Sequence, residues 1–121
     1  MSSSDLRTII RIKHMAEAAA NVSDKPGPEE GVEMAAAYDR LRAEAREVFD
    51  RAGWGDAEKF DSELPQLNRV SVKRESITYS ADASGAEAYE AAASGRRARV
   101  LLLQLAAWAA GHQETSEVED S

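Results

Sequence analysis

The chain of 121 residues contains no cysteine. That excludes disulfides, thiolate zinc sites, iron–sulfur clusters and a thiol nucleophile. It also fits a reducing compartment. Long apolar runs are missing as well. The longest, Val100–Ala110, is interrupted by Gln104, whereas a bilayer span needs about 20 apolar residues. Met1–Asp5 carries no positive charge, and Arg7 and Arg11 break the stretch Leu6–Ile12, so no secretory signal is expected. A cytoplasmic protein without membrane contact is the resulting expectation. A broad basic surface is absent too: the net charge is −7 and the pI near 4.8. No nucleic-acid partner is expected from that balance.

Recognisable catalytic patterns are equally scarce. The chain has no P-loop, no G-x-G-x-x-G, no EF-hand loop and no G-x-S-x-G elbow. The two histidines, His14 and His112, have no second histidine at metal-ligand spacing. His14 and Glu17 stand three apart, but di-iron bundles need Glu-x-x-His on two helices, and here the order is reversed and occurs once. No metal and no cofactor is implied. Carboxylate groups such as Glu44 with Glu47, or Asp56 with Glu58 and Asp61, read as solvated faces in so acidic a chain.

Large side chains are the last shortage. Apolar residues make up 43% of the chain, but 23 of them are alanine. Alanine favours helix and buries little area. A core built from the remainder is thin for this length. Subunit association would add buried area, so a homo-oligomer or a protein partner is expected.

What is present is helical. Ser4-Asp5 reads as a helix start, followed by a face of Leu6, Ile9, Ile10 and Ala16 with Ile12, Met15 and Ala19 beside it; the helix is predicted over about 5–21. A loop follows, where Asn21 to Gly31 stacks breakers around Pro26, Gly27 and Pro28. A second helix, 31–52, carries Met34, Tyr38, Leu41, Ala45, Val48 and Ala52 in alternating steps of four and three. That is a heptad-like seam, widened by Phe49. Gly53 and Gly55 around Trp54 mark its end. A short helix is predicted over 57–63, closed by Pro65.

Residues 69–80 read as irregular or briefly extended, since Val70 and Val72, then Ile77 and Tyr79, alternate without a hairpin turn signal. A last helix, 85–111, opens on Ser84 to Glu87 at capping-box spacing. Ser94-Gly95 predicts a kink or two abutting helices in it. Val100–Ala110 is apolar nearly all round, which predicts a central, buried element. Gly111 reads as its stop. The domain is then 1–111, and 112–121 is expected to be a disordered acidic tail. The fold class is all-α: a small helical bundle of three main helices and a short fourth.

Three functional readings follow. The first is a non-catalytic helical protein-interaction or assembly module that self-associates. Its contact residues would be Met34, Tyr38, Leu41, Val48 and Phe49 on the seam, buried against a helix of this chain or of another subunit, with Trp54 between its glycines either capping the core or presented to a partner. Arg96, Arg97 and Arg99 form the one basic concentration. They read as aliphatic cover with acidic neighbours, or as an anion or partner contact. The second reading is a small-ligand domain with a pocket lined by Tyr38, Tyr79, Tyr89 and Trp108.

The third reading starts from Arg7 and His14, which bracket six residues and share a helix face. This spacing resembles the Arg-x4-6-His motif of HEPN ribonucleases. The resemblance implies that Arg7 steadies a phosphate while His14 transfers a proton. The match covers eight residues. Thr8 stands where that family usually has a polar amide or acid, and the motif lies on the first helix rather than near the domain's end.

Overall fold

The computed structural model describes residues 2–67 and 86–119, with side chains over 2–67 and 89–115. Four helices follow in order: α1 (Ser3–Ala20), α2 (Pro28–Ala52), α3 (Ala57–Glu63) and α4 (Ala86–Glu119). The protein is an all-α small helical bundle, and no strand occurs among the described residues. The 69–80 segment, read as irregular or extended, lies outside them. No helix among the described residues is long and apolar enough to cross a membrane.

Each start has a local cause. The Ser2 hydroxyl accepts from the Asp5 amide at 3.1 Å, so the cap lies two residues before the predicted Ser4. Pro28 opens α2, where its missing N–H costs nothing. Glu30 reaches back to accept from the Gly27 amide at 3.1 Å. The α2 C-terminus closes on Gly53 at φ 68°, a left-handed turn that glycine adopts without strain, and Trp54 N donates to Phe49 O at 3.2 Å. Asp56 caps α3 by accepting from Lys59 N at 2.9 Å.

α1, α2 and α4 pack against one another. Ile9, Ile12, Ala16 and Ala20 of α1 meet Met34, Ala35, Tyr38, Leu41, Ala45, Val48 and Phe49 of α2. Ala98, Leu102, Leu105, Ala106 and Ala109 of α4 complete the core, and Phe60 and Leu64 close one end.

α4 departs from expectation in three ways. It is one continuous helix through Ser94-Gly95, so two abutting helices do not occur there. Gly95 is where the α4 backbone meets α2, not a break: a Cβ there would lie 2.5 Å from the Gly31 Cα and 3.0 Å from Pro26 Cγ. α4 also passes Gly111 and ends at Glu119, so the residues expected to form a tail are helix up to that point. Two contacts anchor this extension: His112 stacks on Trp54, and Thr115 Oγ1 donates to Gly111 O at 3.0 Å. Finally, α4 is not buried all round: Val100 and Leu103 are exposed, on the side opposite its core residues Ala98, Leu102, Leu105 and Ala109.

Candidate interaction surface

The predicted seam is intramolecular. Met34, Tyr38, Leu41, Val48 and Phe49 are all buried in the chain's own core. Of the two burials expected for the seam, the intramolecular one is what the fold shows, and these side chains are not exposed on the surface. Tyr38 also turns its hydroxyl to donate to Pro65 O at 2.6 Å. Burial pushes its phenol up to about 12, with Arg42 pulling the other way.

Trp54 packs on the edge of that core. Its ring meets Trp108 edge-on at 5.8 Å and Phe49 at 6.4 Å. Its open face is covered by His112, stacked at 3.7 Å. The Trp108 indole donates to Glu63 Oε2 at 3.2 Å. Burial holds the His112 imidazole below its ordinary value, opposed by Glu63 and supported by Lys59. This cluster was missed from the sequence because its members come from three helices. Glycines around a tryptophan were the only local signal.

The three arginines split. Arg99 Nε donates to Ala20 O at 3.2 Å, satisfying a carbonyl at the C-terminus of α1. Arg97 reaches Ser94 Oγ at 3.3 Å, and Arg96 lies over the Tyr89 ring at 6.0 Å. Arg96 and Arg97 are exposed and make no ion pair among the described residues.

Arg7 and His14 are both exposed on α1, as the helical spacing requires. The tyrosine pocket is not formed by its described members: Tyr38 is core, Tyr89 is exposed, Trp108 belongs to the aromatic cluster, and Tyr79 lies outside the described residues. A cleft of about 380 Å³ exists elsewhere, between the end of α1 and the start of α2, lined by Ala19, Val22, Met34 and Arg40 with three glutamates. Among the described residues, no group of three or more His, Cys, Asp or Glu is placed to hold a metal ion.

The remaining feature is the outer face of α4. Among the described residues, five large apolar side chains are exposed: Met15, Val22, Tyr89, Val100 and Leu103. Three of them lie on α4, with Tyr89 67%, Val100 61% and Leu103 40% exposed. At 100° per residue they project in nearly one direction, opposite the buried Ala98, Leu102, Leu105 and Ala109. Exposed Ala107 continues the stripe. The all-round apolar character of Val100–Ala110 was legible in the sequence; the exposure of Val100 and Leu103 within it was not.

Compared with known protein families, curated proteins and solved structures, the chain matches none.

Proposed function

We propose that the chain is a non-catalytic helical protein-interaction module that self-associates, and that it does so through the outer face of α4. The observation that carries this reading is the exposed stripe of Tyr89, Val100, Leu103 and Ala107. Grouped apolar exposure on one face marks a contact surface, whereas scattered single residues do not. The seam residues hold the bundle together, so the contact function passes to α4. A cytoplasmic location is part of the same reading, and the cysteine-free composition supports it.

Leu103→Glu tests the reading by sedimentation equilibrium. The side chain is exposed, so the monomer should keep its melting temperature while the assembly dissociates. An assembly of unchanged mass in the variant would refute the role of this face.

A second reading, small-ligand binding, rests on the cleft between α1 and α2, whose volume lies in the range of small-molecule sites. A thermal-shift screen tests it, since a ligand bound only by the native state raises the midpoint. No shift with millimolar metabolites would count against it. The ribonuclease reading has only the spacing of Arg7 and His14 behind it.

A further inference from the structure

We infer that the partner on the outer face of α4 is the same face of a second copy, with the two helices antiparallel and the two-fold axis level with Leu105. This rests on the self-associating reading above and adds the occupant's orientation.

The argument is one of charge order along the stripe. Arg96, Val100, Leu103, Ala107 and Glu114 follow one another in steps of four, three, four and seven. At 3.6 residues per turn they lie within about 60° of one another on the helix. All five are exposed. One end of the stripe is cationic, the middle is apolar and the other end is anionic. Neither Arg96 nor Glu114 makes an ion pair among the described residues.

A copy laid antiparallel about Leu105 sets Arg96 against Glu114, Val100 against Ala110 and Leu103 against Ala107. The two-fold axis repeats each match, as an isologous interface requires. Val100 and Leu103 each then face an alanine, so knobs meet spaces and the helices approach closely. A parallel copy would set Arg96 against Arg96 and Glu114 against Glu114. Like charges facing each other disfavour that arrangement. The stripe is therefore complementary to itself in one direction only.

The chain's lack of cysteine makes the test clean. Arg96→Cys and Glu114→Cys are prepared separately and treated with a short bismaleimide that spans two facing helices. In an antiparallel dimer of Arg96→Cys the two introduced thiols are separated by about 18 residues of helix, or about 27 Å. Each variant alone should then stay uncrosslinked, and an equimolar mixture should give a covalent dimer. That mixed dimer keeps one native Arg96–Glu114 pair.

Charge reversal gives an independent readout. Arg96→Glu should weaken self-association about tenfold, and adding Glu114→Arg should restore it.

Crosslinking of Arg96→Cys with itself, or no crosslink in the mixture together with no rescue by the double charge swap, overturns the antiparallel pairing. If the wild-type chain still dimerises and Leu103→Glu still breaks the dimer, only the orientation fails. A wild-type chain that is monomeric throughout overturns both the orientation and the self-associating reading.

Discussion

The indole of Trp54 lies flat against the imidazole of His112, with 3.7 Å between ring centroids and 10° between planes. This contact joins the turn after α2 to the last turns of α4. It explains why the helix continues beyond Gly111, where the sequence suggests a stop. Trp108 packs edge-on to both rings and is tied to α3 through Glu63. One aromatic cluster thus fastens three helix ends.

His112 makes this fastening depend on pH. Burial lowers its pKa from the ordinary 6.5, with Lys59 acting in the same direction and Glu63 against it. The unfolded chain therefore takes up the proton more readily than the folded one. The stability from the neutral imidazole is fully present above about 6.5. It is lost as pH falls through the lower folded value. Thermal melts between pH 7.5 and 5 should show this decline, and His112→Gln should have a shallower one. Equal slopes for both proteins would contradict the assignment.

Gly31 and Gly95 form the second fastening. A Cβ at Gly31 would run into the Ala91 carbonyl, and one at Gly95 would press on the Gly31 Cα. Backbone lies on both sides, so neither can move aside cheaply. Gly31→Ala and Gly95→Ala should each cost about 1–3 kcal/mol in denaturant melts. Gly111 is a contrasting helical glycine, with nothing within 4 Å of a Cβ. Gly111→Ala should stabilise by about 0.5–1 kcal/mol. Equal effects at all three sites would refute the close crossing.

The third relationship holds α3 onto α2. Arg42 Nε donates to Leu64 O at 2.7 Å, its Nη2 pairs with Asp61 at 2.6 Å, and its guanidinium lies over Phe60. Tyr38 adds the bond to Pro65 O. Tyr38→Phe should cost about 0.5–1.5 kcal/mol, the usual worth of one such bond. Arg42→Ala removes several contacts and should cost more. Amide exchange should quicken in α3 in both variants. Tyr38 also has a pH signature: its raised pKa adds stability below pH 10 that is lost as pH rises towards 12. Tyr38→Phe should lack that alkaline loss.

Local signals made most of the helices legible. Asp56 before Ala57 and Pro65 after Glu63 bounded α3 as the structure has it. The steps of the α2 seam named core residues, because a heptad-like face is buried whatever covers it. The seam did not reveal its partner, and the covering elements proved to be this chain's own. Gly95 suggested two abutting helices because a glycine lowers helix propensity locally, while its close contact with Gly31 is a tertiary fact. The outer face of α4 was hidden for a similar reason. All-round apolarity predicts burial, yet Tyr89, Val100 and Leu103 are exposed on the side of α4 opposite its core residues.

Light scattering on the wild-type chain, over about a hundredfold range of concentration, tests the central claim most directly. Self-association through α4 predicts a mass that rises from the 13.1 kDa of one chain to twice that value. A mass fixed at that of one chain at every concentration would contradict it.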